Sequence, residues 1–247
     1  MADARVARIN VTPVKSLRLD HPDEIELVMD GAREDRRFLL VDAERRLYNG
    51  KRDLALVRTS ASWDADARHL QLTLPDGKLV EGEVESGEAT VVEVYRRPLR
   101  ARLVEGPWAD ALSDLVGRSL TLVERDDGGW ATDDRPASLV SLASLETIDG
   151  DGRRFRMLFE LDDVPAHGED EWRNRRLRVG EATLLVGDPT PRCAVPTANP
   201  DTGVRDRDVL RELLEKRGPI EGEPCMGVYA EVLEPGRVRV GDEAQLI

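Results

Sequence analysis

The chain has 247 residues, 40% of them hydrophobic and 34% charged, which is enough to bury one large core or two modest ones. Its 36 Lys and Arg stand against 49 Asp and Glu, a formal charge of -13, so bulk electrostatics speak against a nucleic-acid backbone or an anionic membrane as partner. Apolar stretches such as 137–145 are interrupted by serines and fall far short of the roughly 20 residues of a membrane helix, and the opening Met1-Ala-Asp-Ala-Arg5 lacks the pattern of a secretory signal, so a cytoplasmic protein is expected.

The first hundred residues read as β-rich. Val6, Ile9 and Val11 mark a first strand that Pro13 ends. Short strands are expected at 25–28, 37–41 and 54–59. The alternation Leu70-Gln-Leu-Thr-Leu74 before Pro75-Asp-Gly77 predicts a hairpin returning at Leu79, and a strand over 90–94 closes this part. Trp108, Leu112, Leu115 and Val116 share one face of a helix that Gly117 stops. After a strand over 119–123, the segment 126–134 is acidic, contains glycine and has no periodicity, which predicts a mobile loop beside a site.

Beyond it, a strand is expected over 137–142, with Ser144 capping a short helix. Strands follow at 155–161, 177–179, 183–186, 228–233 and 237–240. One clear helix over 206–217 places Val209, Leu210, Leu213 and Leu214 on one face and ends at Gly218-Pro219. Many short strands with few helices predict a mainly β (α+β) chain built as barrels or a sandwich rather than a doubly wound sheet. No glycine-rich loop follows a strand, which removes support for a Rossmann or P-loop nucleotide site.

Two cysteines, Cys193 and Cys225, lie far apart, and His21, His69 and His167 are isolated. Neither an iron–sulfur cluster nor a structural zinc site assembles from such spacing, so any redox activity draws its electrons from elsewhere, and both cysteines are read as free thiols. Cys193 follows Arg192 in a proline-rich turn. A neighbouring guanidinium favours thiolate, the nucleophilic and soft-metal-binding form, although an inert buried cysteine is the plainer account of a lone Cys. Lys15-Ser16 ends the first strand, where an ammonium, a hydroxyl and backbone amides suit a phosphate, and where a solvated loop lysine is the plainer alternative. Asp35-Arg36-Arg37 and Arg153-Arg-Phe-Arg156 are basic spots that serve an anionic ligand only if distant segments converge.

Taken together, these pieces resemble a known family. Thr12-Pro-Val-Lys15-Ser16 and Asp35-Arg36-Arg37-Phe-Leu-Leu-Val41 resemble the N-terminal β-barrel domain of MOSC proteins. The remainder resembles the MOSC domain, named for the C-terminal domain of molybdenum cofactor sulfurase. Its marks are Ser141-Leu-Ala-Ser144-Leu, Arg154-Phe-Arg156, Glu169-Asp-Glu-Trp172, Leu177-Arg-Val-Gly180, Arg192-Cys193, Asn199-Pro-Asp-Thr-Gly203, Gly227-Val-Tyr229 and Val238-Arg-Val-Gly-Asp242. The resemblance implies a MOSC N-terminal domain over 1–95 and a MOSC domain over 96–247, with a ligand cleft where they meet.

The architecture resembles that of the amidoxime-reducing group, which implies a molybdopterin cofactor, reduction of N-hydroxylated or N-oxygenated small molecules, and electrons from a separate protein of the ferredoxin or flavin reductase type. Cys193 then corresponds to the protein ligand of molybdenum. Lys15, Ser16 and Arg36 correspond to residues holding the cofactor's phosphate and pterin. Arg156, Arg192, Tyr229 and the stretch from Asp134 and Arg135 through Ser141 correspond to pocket lining. Pyridoxal phosphate binding is implied only at the level of the family. A sulfur-carrying or cofactor-handling role for Cys193, or a pterin- or anion-binding module without catalysis, are the alternatives. The chain departs from the pattern at Met157-Leu158, where Pro-Asn is usual, and at Cys225-Met226, where Phe or Leu often precedes Gly-x-Tyr. An arginine patch around Arg97, Arg100 and Arg102 is the expected docking face for an acidic electron donor, a solvated strand edge being the plainer account of it.

Overall fold

The computed structural model describes residues 4–126, 134–148 and 150–247. Its C-terminal unit is a closed seven-stranded barrel. Around it run Ala4–Ile9, Phe159–Asp162, Ala137–Ser141, Cys225–Glu234, Ala182–Pro191, Arg176–Val179 and Glu243–Leu246, the last pairing back onto the first. Ala137–Ser141 pairs in parallel with Phe159–Asp162, and the other neighbours are antiparallel. Alternation drives this closure: Val6, Ile9, Leu139, Phe159, Leu177, Leu184 and Val228 point inward and are buried in one core. A three-stranded sheet of Gly236–Arg239, Glu24–Val28 and Gly31–Ala32 adds Val238, Ile25, Leu27 and Ala32 to that core.

The second unit is a five-stranded sheet in the order Leu47–Tyr48, Phe38–Val41, Thr121–Arg125, Arg97–Glu105, Glu85–Val94. It shares a core with the three-stranded sheet Ser60–Asp64, His69–Thr73, Leu79–Glu83 and the helix Trp108–Val116. Phe38, Leu40, Leu70, Leu72, Trp108 and Leu122 meet there, and the Trp108 indole N–H donates to the Leu70 carbonyl at 3.0 Å, so the ring is buried with its polar edge satisfied.

The predicted hairpin forms with Thr73 opposite Leu79, and the predicted helix ends where Gly117 turns left-handed at φ 65. Elsewhere local pattern and structure differ. Of the strand expected over 54–59, residues 54–58 form a 3-10 turn whose Ala55 amide donates to the Asp53 carboxylate; consecutive Leu56 and Val57 are both buried, which a strand with one buried face does not permit. The expected strand over 155–161 begins only at Phe159, because Arg156 takes φ 56 and breaks extended backbone. The short helix Leu142–Glu146 is capped by Ser141 rather than Ser144, the Ser141 hydroxyl accepting from the Ser144 amide.

The strand expected over 90–94 is the end of Glu85–Val94, which turns at Tyr95 and Arg96 and returns as Arg97–Glu105. Both turn residues have positive φ, 51 and 66, the geometry that matches the twist of paired strands. A division at 95/96 therefore falls inside a hairpin of one sheet. The sheet continues through Thr121–Arg125, while Ala4–Ile9 and Glu24–Val28 belong with the barrel. Most of the acidic segment expected as a mobile loop, residues 127–133, lies outside the described residues. No helix among the described residues is long and apolar enough to cross a membrane.

Candidate functional site

Three connecting stretches between the two units line a cleft of about 420 Å³. The first leaves the barrel after Ile9, and Val14 and Leu17 bury in the other core before the chain returns to Glu24–Val28. Lys15 and Ser16 lie at the tip of this excursion, where the Lys15 amide donates to the Phe38 carbonyl at 2.9 Å. The second crossing carries Asp35 and Arg36. The third ends in Asp134 and Arg135, which line the same cleft.

Lys15 is 5% exposed, and its ammonium lies 5.8 Å from the centre of the Tyr95 ring, with the Lys51 ammonium 4.9 Å from that ring. The Tyr95 hydroxyl in turn accepts from Asn49 at 3.2 Å. Ser16 has φ 78, and its Oγ accepts from the Gly50 amide at 3.0 Å. Asp35 is buried, accepts from the Thr12 amide at 2.8 Å and pairs with Arg36. Arg36 has φ 53 and reaches the Arg156 carbonyl at 3.5 Å, while the Arg156 guanidinium donates back to the Leu17 carbonyl at 2.7 Å. These two arginines tie the units together across the floor of the cleft. Ser16, Arg36, Tyr95 and Arg156 all hold left-handed backbone, each at a cost of about 1 kcal/mol or more. Such a concentration in one cleft means that surrounding contacts override local preference to aim these side chains.

From the barrel side, the strand Ala182–Pro191 delivers Arg192 and Cys193. Arg192 donates to the Phe155 carbonyl and lies 5.4 Å from the centre of the Phe155 ring, so the guanidinium is fixed beside the turn that carries the thiol. Cys193 is half-buried and free; Cys225 is buried and free, and burial pushes its thiol pKa up. Tyr229 reaches the cleft from Cys225–Glu234, opposite Ser138. Arg135 lies 3.5 Å from Glu231 at the rim.

The cleft thus gathers Lys15, Ser16, Arg36, Asp134, Arg135, Arg156, Arg192, Cys193 and Tyr229. Ser141 is the exception. It is fully buried away from the cleft, its hydroxyl spent on the helix cap and on Ser144 Oγ at 2.6 Å. Sequence reasoning missed Asn49, Lys51, Tyr95 and Thr190, which also line the cleft. A tyrosine at a hairpin tip and a lone threonine carry no signature of their own; only the fold turns them inward.

Behind Ser141 lies a buried carboxylate. Glu169 accepts from Ser144 Oγ at 2.8 and 3.0 Å and from the Ser141 amide at 3.3 Å. Burial nevertheless raises its pKa, with Asp170 adding to the rise. A carboxyl whose folded pKa exceeds its unfolded value contributes stability that is complete below the unfolded value and lost as pH rises through the folded one. Glu169→Gln, whose amide oxygen retains an acceptor for Ser144, is expected to gain on the wild type in urea midpoint between pH 4.5 and pH 8. Parallel pH profiles for the two proteins would show that Glu169 ionises as freely folded as unfolded.

The donors fit an anionic pterin cofactor on one structural ground beyond charge. Thr190 Oγ1 is buried at the cleft wall without a hydrogen-bond partner among the described residues, a polar group that a ligand would satisfy. The departure at Met157-Leu158 is accommodated: Met157 and Leu158 are buried, the Met157 sulfur lies 3.2 Å from Arg192, and the Leu158 amide donates to Ser138 Oγ at 3.0 Å. No trio of His, Cys, Asp or Glu forms a metal-ligand cluster among the described residues, and Cys193 supplies the one thiol among the residues that line the cleft.

Comparison with known proteins agrees with this two-unit layout. Residues 131–245 match the MOSC domain, and residues 3–119 match the MOSC N-terminal beta barrel domain. Similar proteins include mitochondrial amidoxime-reducing component 1 of Mus musculus and of Homo sapiens, each 25% identical to this chain, covering 98% of it and 82% of the relative. Mitochondrial amidoxime reducing component 2 of Bos taurus is 22% identical over 96% of this chain and 81% of its own length. With both domain matches in sequence order and a cleft built from both units, the chain belongs to the MOSC family, with an N-terminal MOSC β-barrel domain.

Proposed function

We propose that this protein is a molybdopterin-dependent oxidoreductase that reduces small N-hydroxylated or N-oxygenated compounds. The observation that carries the reading is that the Cys193 thiol shares one cleft with the cationic cradle of Lys15, Ser16 and Arg36. The amidoxime-reducing relatives support the substrate class. For an amidoxime the balance is two electrons and two protons taken up, the N–O bond broken, and an amidine and water released. A molybdenum cofactor held there would supply the two-electron couple for this reduction.

The chain's own residues do the holding. Lys15 and Arg36 place positive charge where a phosphate would lie, and Ser16, whose oxygen already accepts from Gly50, keeps its hydroxyl hydrogen for donation. Arg192, fixed on the Phe155 carbonyl, adds positive charge to the wall that carries Cys193, whose sulfur is the donor for a soft metal. Arg156 and Thr190 offer donors along the wall. Asp134, Arg135 and Tyr229 stand at the barrel side, where substrate would meet them. Electrons come from a separate protein of the ferredoxin or flavin reductase type, docking near Arg97, which is largely exposed and 4.0 Å from Asp134.

Expression in a molybdopterin-competent host, followed by metal and pterin analysis, tests the assignment. Near-stoichiometric molybdenum and pterin are expected, together with reduction of benzamidoxime by a chemical reductant. Well-folded protein without molybdenum removes the hypothesis, and a trapped persulfide on Cys193 in such protein would assign it to sulfur handling instead.

A further inference from the structure

A second hollow, of about 220 Å³, opens beside the cleft and shares Val57, Arg156 and Val195 with it. Val57 comes from the 3-10 turn Leu54–Arg58 and Val195 from Val195–Thr197, so the two valines stand with Arg156 between the chambers. Beyond them the wall carries the guanidiniums of Arg18, Arg153, Arg154 and Arg156 together with His21, and no acidic residue lines it.

The guanidiniums are held from outside the hollow. Arg153 is gripped by Asp151 at 3.1 Å and by both Asp201 oxygens at 2.9 and 3.0 Å. Arg154 makes a two-pronged pair with Asp206 at 2.9 Å on each side and also donates to the Ala198 carbonyl at 2.8 Å. None of these three carboxylates lines the hollow, so two of its four guanidiniums are held fixed by acids that stand outside it. Arg18 is held less tightly. Its amide is fixed on the Thr59 carbonyl at 2.9 Å, its guanidinium lies 3.8 Å from Asp201, and its buried Nε has no hydrogen-bond partner among the described residues. A buried guanidinium N–H left unsatisfied is costly unless an acceptor arrives.

We propose that this hollow is a second anion subsite, which receives a phosphoryl group of a ligand that extends from the main cleft past Val57 and Val195. Arg18 is its acceptor-seeking donor, and the rigid Arg153 and Arg154 set its field. The phosphoryl group belongs either to a phosphorylated substrate or to an extension of the cofactor's own phosphate tail. The inference extends the proposed use of the main cleft, yet its test reads neither metal nor turnover, so either can fail alone.

Cofactor-free full-length protein titrated calorimetrically with inorganic phosphate is expected to bind two equivalents. Arg18→Gln should weaken one of them about tenfold, Arg18→Lys should largely restore it, and Lys15→Gln should weaken only the other. Circular dichroism melting checks that each variant is folded; the Arg18 side chain is 41% exposed, so its replacement leaves the cores intact. If wild type and Arg18→Gln bind phosphate with the same stoichiometry and affinity, or if wild type binds none, the subsite does not exist. Repeating the titration on pterin-loaded protein separates the sources: an Arg18-dependent equivalent that persists belongs to a substrate phosphate, and one that disappears belongs to the cofactor's tail.

Discussion

Cys193→Ser is expected to reduce turnover of an amidoxime with a chemical reductant to background, a loss of at least about 100-fold, since removing even an outer partner of a metal ligand costs about 10–100-fold. The exchange replaces a polarizable sulfur by a hard hydroxyl oxygen that binds soft metals poorly. Folding should survive. Cys193 is half-buried in a turn after the strand Ala182–Pro191 and takes no part in the buried clusters, so the unfolding free energy should move by no more than about 0.5 kcal/mol. A melting profile like that of wild type with lost turnover and reduced molybdenum content is the expected pair of results. Full turnover in the serine variant would remove Cys193 from the chemistry and leave the cleft as a binding site alone.

The largest stability effect is expected at Gly227. It sits inside the barrel strand Cys225–Glu234 at φ 73, and a Cβ there would lie 2.5 Å from the Leu139 carbonyl oxygen, 2.7 Å from Met157 Cε and 3.1 Å from Val140 Cβ. The Met157 methyl can swing away; the Leu139 carbonyl cannot, because Leu139 is paired with both Val228 and Phe159 in the barrel ladder. Gly227→Ala therefore combines left-handed strain with a backbone clash, and a loss of about 3 kcal/mol or more is expected in urea unfolding. Gly77→Ala separates the two contributions, since Gly77 has φ 85 and nothing within 4 Å of an added Cβ, so only the conformational penalty of about 1 kcal/mol applies. Equal losses at the two positions would show that the barrel yields at Leu139 without cost.

How much was legible in advance follows from the range of each interaction. The 70–80 hairpin and the helix Trp108–Val116 depend on neighbours within a dozen residues, and alternation, turn chemistry and a terminal glycine are visible at that range. Leu54–Arg58 departs from the expected strand because a four-residue apolar run, Leu54–Val57, fits a strand or a tight turn equally well, and packing on the sheet core decides between them. Arg97–Glu105 was missed because its arginines mask the alternation; the strand is held by its pairing with Glu85–Val94 and Thr121–Arg125.

For the site, the sequence by itself determined the kinds of group available: one thiol beside an arginine, a lysine–serine pair closing the first strand, and a mainly β chain whose motifs match the MOSC pattern. Only the tertiary structure decided which of them meet. Lys15, Arg36, Arg156 and Cys193 come from distant segments and converge because Ala4–Ile9 pairs into a barrel completed by the far end of the chain, which forces the next segments across to the second sheet. Ser141 fell out because a helix cap consumes its hydroxyl, and Tyr95 entered because a hairpin turn projects it over Lys15. Local patterns report backbone periodicity and polarity over a few residues, whereas convergence depends on barrel closure, which is the sum of pairings made across the whole length of the chain.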